Sequence, residues 1–159
     1  MYDVNSIQFG KNIKVDYEVI GETTTRNVTS KEDMIHPDFQ AAAKPLFDMI
    51  LRFCEFAEDM KNRIIPIKAQ FSSSEKAGRC CRITFILKLQ NSINGLKITT
   101  PKFSEYQTET SNCFTPQELN QLELLKDEAF AYAHTNKTAQ IGLFDGQGDA
   151  VGDSDDELS

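Results

Sequence analysis

The chain has 159 residues, of which 40% are hydrophobic, so it can bury the core of one domain without disulfides or metals. Its formal net charge of −7 is concentrated at the end, because residues 145–159 contain six of the 24 acidic residues and no base. The remaining 18 acids against 17 bases leave residues 1–144 nearly neutral, which does not favour a nucleic-acid-binding domain.

No stretch has the apolar length of a membrane span, and the first ten residues lack the pattern of a signal peptide. We therefore expect a cytoplasmic protein with no membrane partner. Four cysteines (Cys54, Cys80, Cys81 and Cys113) and two histidines have no metal-binding spacing. We therefore expect the cysteines to be free thiols, and we expect neither a bound metal nor a cofactor.

The first 30 residues predict three antiparallel strands joined by tight turns. Hydrophobic residues alternate with polar ones around Ile7 and Phe9, and again along residues 13–19. The sequence around Gly10 predicts the first turn, and residues 24–29 are rich in β-branched side chains. This pattern is typical of a sheet with one buried face.

Residues 36–59 predict the first long helix, with an apolar stripe at three- and four-residue spacing. Pro45 lies inside this pattern and removes one helical hydrogen bond. We therefore expect either a kink or a short first turn followed by the main helix from about Lys44.

Three further strands are predicted by residues 63–71, 83–90 and 96–100. In the first, Ile65 and Ala69 are expected on one face, and Pro66 indicates an edge strand or a bulge. The other two are predicted to form the centre of the sheet, and residues 104–112 a polar connector.

A capping box of Thr115 and Glu118, with Pro116 at the first helical position, predicts the start of the last helix. The element order favours an α+β fold: a mostly antiparallel sheet of about six strands with two long helices on one face. We predict a single domain over residues 1–137 and a disordered acidic tail over residues 138–159.

Catalytic motifs are not apparent in the sequence. No glycine-rich phosphate loop, nucleophile elbow or zinc-protease motif occurs, and His36 and His134 fall at helix ends. The expectation is a protein that is not an enzyme.

Basic residues near the central strands raise the alternative of a single-stranded DNA-binding surface, with Phe85 and Phe103 available for stacking. The solvent-facing side of a half-buried sheet would have the same composition, and near-neutral residues 1–144 favour that interpretation. The candidate residues are Arg79, Arg82, Lys88, Lys97, Lys102 and Tyr106.

In the tail, Gln140, Ile141, Leu143 and Phe144 resemble the short peptide that docks many bacterial and phage proteins on the DNA sliding clamp. The resemblance implies the host sliding clamp as a partner, whereas packing of the same apolar residues on the core is the alternative. The last residues, 153–159, resemble the acidic tails of single-strand-binding proteins, although they end in Leu158-Ser159.

Residues 36–39 (HPDF), Asn91-Ser92 and the Leu96–Pro101 segment resemble a family of small phage proteins encoded among recombination and single-strand-binding genes. The resulting hypothesis is a non-enzymatic accessory protein of phage DNA replication or recombination, recruited to the host clamp. Two alternatives stay open: a single-stranded DNA-binding protein with a regulatory acidic tail, and an inhibitor of a host defence protein that acts by DNA mimicry.

Overall fold

The computed structural model describes residues 2–10, 12–19, 26–31 and 36–135, and in these ranges the chain forms an eight-stranded sheet with three α-helices. The elements follow in the order β1 (Tyr2–Gln8), β2 (Asn12–Val19), β3 (Arg26–Lys31), α1 (Pro37–Ala43), α2 (Pro45–Cys54), a 3-10 helix (Glu58–Arg63), β4 (Ile64–Ser74), β5 (Gly78–Leu87), β6 (Leu96–Thr99), β7 (Phe103–Ser104), β8 (Asn112–Cys113) and α3 (Pro116–Thr135).

The strands lie in the order β3-β2-β1-β4-β5-β7-β8, and β6 also pairs with β5. Every ladder is antiparallel except the short one between β7 and β8. The α+β class, the antiparallel sheet and the six predicted strands are therefore confirmed. The two-residue strands β7 and β8 lie at the two ends of the predicted polar connector, residues 104–112, and they are too short to produce a periodic signal.

One face of the sheet forms the core because its hydrophobic side chains pack against the helices. Ile13, Val15 and Tyr17 of β2 are buried, as are Ile83 and Phe85 of β5. Ring contacts fix the side on which the helices lie: Phe103 stacks on Phe53 of α2, with ring centroids 3.8 Å apart. The prediction that helices pack on one face is confirmed.

The first helical region is divided at Pro45. Helix α1 ends at Ala43 and α2 begins at Pro45, so the expected break near Lys44 is confirmed. Helix α2 ends earlier than the predicted Asp59, because Glu55 adopts the left-handed conformation with φ of 57°. His36 caps α1 by accepting a hydrogen bond from the backbone N–H of Asp38.

Strand β4 lies inside the sheet, between β1 and β5, so the edge position considered for it is wrong and the bulge is right. Ile65 pairs with Ile86 and Lys68 with Thr84, which leaves Ile67 as the extra residue. The bulge reverses the alternation: Ile65 is 43% exposed whereas Ala69 is fully buried. The prediction that these two side chains share a face is therefore wrong.

The predicted centre of the sheet is half correct. Strand β5 has neighbours on both sides, but β6 pairs only with β5 among the described residues and so lies at an edge. The division at residue 137 and the acidic tail fall outside the described residues. Among the described helices, none combines the length and apolar character that crossing a membrane requires.

Candidate functional site

The face of the sheet opposite the helices, called the open face here, carries mostly polar side chains. Its residues follow from the strand registers: Gln8 of β1 pairs with Lys68 of β4, Lys68 with Thr84 of β5, and Thr84 with Thr99 of β6. The hydroxyl oxygens of Thr84 and Thr99 are 3.0 Å apart and hydrogen-bonded. Side chains in such a row lie on the same face.

The acidic side chains of the open face are confined to one half of the sheet. Strands β4, β5 and β6 contain no acidic residue, whereas Asp3 of β1 and Asp16 and Glu18 of β2 lie in the other half. Two of these acids have local partners: Asp16 accepts a hydrogen bond from Ser6, and Glu18 accepts one from Asn5. The acids are thus held at the β1–β2 half of the sheet.

Three cations lie on the acid-free half: Lys68, Arg82 and Lys97, called the basic band here. Arg82 is two residues along β5 from Thr84, and Lys97 pairs with Ile86 on the other side of Thr84. The band therefore spans about 14 Å along β5, at roughly 3.4 Å per residue. None of the three cations has a carboxylate within 4.0 Å in the part of the chain that the structure describes.

The predicted nucleic-acid surface is divided by the structure. Arg82 and Lys97 lie on the open face, and Arg79 lies on the helix side, where it binds Glu105 and approaches Glu123. Lys88 follows β5 and Lys102 precedes β7, and neither lies in a described strand. Tyr106 is 56% exposed in the segment after β7.

Base stacking on Phe85 and Phe103, which the alternative interpretation requires, is ruled out because both rings are buried on the helix side. Phe85 is 0% exposed and Phe103 is 3% exposed. Lys68 is the member of the basic band that the sequence prediction misses. Its side chain lies opposite that of the buried Ala69, so the alternation along this strand is the signal that could have found it.

A cleft of about 350 Å³ opens where β1 and β4 separate. The ladder between β1 and β4 ends at the pair Ser6 and Gln70, although both strands continue beyond it. The two strands separate there because a bulge at Asn5 changes the direction of β1. The cleft is lined by residues of β1, β4 and α3, together with Arg79.

The charges in this cleft are paired with one another. Lys126 binds Glu123 at 2.9 Å and lies over the ring of Phe71, and Tyr2 donates a hydrogen bond to Asp127. Burial, this hydrogen bond and the charge of Asp127 raise the pKa of Tyr2. Partly buried charged groups at the edge of the core need such partners. The pairing therefore leaves few charged groups of this cleft available to bind a ligand.

A second, shallower depression of about 550 Å³ lies beside α2 and the 3-10 helix. Its charged pair, Lys61 and Asp48, is joined at 2.8 Å. Hydrogen bonding to Asp48 raises the pKa of Lys61, against an opposing effect of burial.

The cysteines are free thiols at four separate positions, from buried Cys80 and Cys81 to exposed Cys113. Burial raises the pKa of Cys81 to about 12, which leaves it a neutral thiol at physiological pH. Within residues 2–10, 12–19, 26–31 and 36–135, no group of three or more histidine, cysteine or acidic side chains is arranged to hold a metal ion.

The predicted clamp-binding residues Gln140, Ile141, Leu143 and Phe144 lie outside the described residues. Helix α3, which precedes them, is held by its capping box: Glu118 accepts a hydrogen bond from the Thr115 backbone, and the Thr115 hydroxyl accepts one from the Glu118 backbone. Comparison with known protein families, with curated proteins and with solved structures finds no match to this chain.

Proposed function

We propose that the protein is a non-enzymatic accessory factor of phage DNA replication or recombination, which binds the sliding clamp of the host through Gln140–Phe144. The observation that carries the proposal is the order of residues in that segment. A glutamine amide, two aliphatic residues and a terminal phenylalanine can make oriented hydrogen bonds and fill an apolar pocket.

Helix α3, which precedes the motif in the chain, is packed into the core of the domain. Leu122 and Leu125 of α3 are buried in the core, as is Tyr132 near its end, and the Tyr132 hydroxyl donates a hydrogen bond to the Ile13 carbonyl. The motif begins five residues after Thr135, within about 17 Å of chain from the end of the helix. A clamp bound there would be held next to the folded domain.

The charged groups around both described clefts also favour an adaptor over an enzyme. Arg79, Lys61 and Lys126 are all engaged in ion pairs with nearby carboxylates. Paired charges of this kind hold elements of a fold together, and they are not poised for proton transfer or nucleophilic attack.

Binding of the full-length chain to an immobilised bacterial sliding clamp tests the proposal. The double variant Leu143→Ala/Phe144→Ala should lower affinity at least about tenfold, since it removes both apolar anchors. Leu124→Ala is the matched control, because Leu124 is a leucine of α3 with 60% of its surface exposed and lies outside the motif. Absence of binding by the natural chain, or equal binding by the double variant, would overturn the proposal.

A further inference from the structure

The basic band of the open face points to a second activity, independent of the clamp. We propose that Lys68, Arg82 and Lys97 bind the phosphate backbone of single-stranded nucleic acid, without reading its bases. A polyanionic backbone complements the charge of the three cations, and the polar side chains around them can donate hydrogen bonds to its phosphates.

Cations on the two sides of the sheet have different surroundings. On the helix side, Arg52, Arg79 and Lys126 each lie within 4.0 Å of a carboxylate. The three cations of the basic band have no such partner among the described residues. Cations without intramolecular partners are the ones that can exchange their counterions for phosphates.

The groups between the cations also suit a phosphate backbone. Exposed Thr99 lies at the centre of the band, its hydroxyl paired with that of the buried Thr84, and exposed Gln70 of β4 pairs with Arg82. Hydroxyl and amide groups of this kind donate hydrogen bonds to phosphate oxygens. The nearest acids of the sheet lie on β1 and β2, beyond β4.

The same face sets the mode of binding. The aromatic rings of β5 and β7 point into the core, so the described residues of β4, β5 and β6 place on the open face no ring on which a base could stack. Recognition is therefore electrostatic and independent of sequence, and its strength must fall steeply with salt. Three neutralised phosphates predict a slope of about −2 for the logarithm of the association constant against the logarithm of salt concentration.

Fluorescence anisotropy of the full-length chain with labelled oligothymidylate at low and rising salt tests this proposal. Each of Lys68→Gln, Arg82→Gln and Lys97→Gln should reduce the magnitude of the salt slope by about 0.7 and weaken binding several-fold. The triple variant should lose binding. Lys44→Gln is the control, because Lys44 is exposed between α1 and α2, and it should leave both quantities unchanged.

Thermal unfolding of every variant should match the natural chain, since these side chains are not part of the core. No binding at low salt, or equal binding by the triple variant, would overturn the proposal. So would tighter binding of polyglutamate than of oligothymidylate at equal charge concentration, because the band would then be a site for acidic protein segments. The Leu143→Ala/Phe144→Ala variant should retain oligothymidylate binding, which separates failure of this proposal from failure of the clamp proposal.

Discussion

Arg52 of α2 donates two hydrogen bonds to Glu118 in the first turn of α3, with N–O distances of 2.7 and 2.5 Å. Glu118 also closes the capping box with Thr115, so one carboxylate caps α3 and ties it to α2. Burial alone would raise the pKa of Glu118, but the hydrogen bonds from Arg52 and from the Thr115 backbone lower it.

We expect Glu118→Ala to lower the free energy of unfolding by about 1–3 kcal/mol, because charge-assisted hydrogen bonds and a helix cap are lost together. Arg52→Lys should have a smaller effect of about 1 kcal/mol, since lysine keeps the positive charge but cannot make the bidentate hydrogen bonds to the carboxylate. Urea unfolding measures both. Gln117→Ala, an exposed change in the same helical turn, should be nearly neutral; an equal loss there would show that the hydrogen bonds of Glu118 are not the cause.

The two faces of the sheet predict opposite outcomes for the same substitution. Ile83→Ala should cost about 2–5 kcal/mol, because Ile83 is fully buried against the helices. Ile65→Ala should cost less than about 1 kcal/mol, since Ile65 is 43% exposed on the open face. Equal losses in chemical unfolding would show that the open face is covered in solution.

The Arg79–Glu105 pair predicts a dependence of stability on pH. Hydrogen bonds from the Arg79 side chain and backbone lower the pKa of Glu105 to about 2, from an ordinary value of 4.5. The pair therefore stabilises the fold above pH 4.5, and this contribution is lost as the pH falls towards 2.

Glu105→Gln should accordingly be less stable than the natural chain at neutral pH and equally stable near pH 2. Urea unfolding across this range measures the difference between the two proteins. A constant difference at all pH values would mean that the carboxylate charge is not responsible. Glu109→Gln, at an exposed position in the following segment, serves as the control.

Tyr2 stacks on Phe130 of α3 with ring centroids 3.8 Å apart, and it hydrogen-bonds to Asp127 of the same helix. Tyr2→Phe should keep the stack and cost about 1 kcal/mol for the lost hydrogen bond. Since the pKa of Tyr2 is raised in the folded state, stability should fall once the pH exceeds 10.0, the ordinary value, where only the unfolded chain ionises this phenol. A flatter alkaline stability profile for Tyr2→Phe would verify this, and identical profiles would contradict it.

Local patterns predict much of this fold because they reflect interactions between near neighbours in the chain. The alternation of Ile13, Val15 and Tyr17 corresponds to a buried strand face. The Thr115–Glu118 box marks the start of α3 because its hydrogen bonds close within one helical turn. Pro45 divides the first helical region because its missing donor is a property of the residue itself.

The incorrect predictions concern features that depend on contacts between residues far apart in the chain. The bulges at Asn5 and Ile67 interrupt the β1–β2 and β4–β5 ladders, and one extra residue moves each following side chain to the other face. Ile65 therefore lies on the open face although Ala69 is buried, and Arg79 pairs on the helix side with Glu105 and Glu123, which lie far along the chain. Strand β8 exists only because the chain returns to β7 before α3 begins.

The short ladder between β1 and β4 has a consequence for the speed of folding. It joins two meanders, β1-β2-β3 and β4-β5-β6, which each pair strands that are close in sequence. The ladder brings Ser6 to Gln70 across a loop that contains α1 and α2, and only three residue pairs compensate for the entropy of closing it. We expect the two meanders to form early and their joining to limit the folding rate, as in other proteins rich in contacts between distant residues.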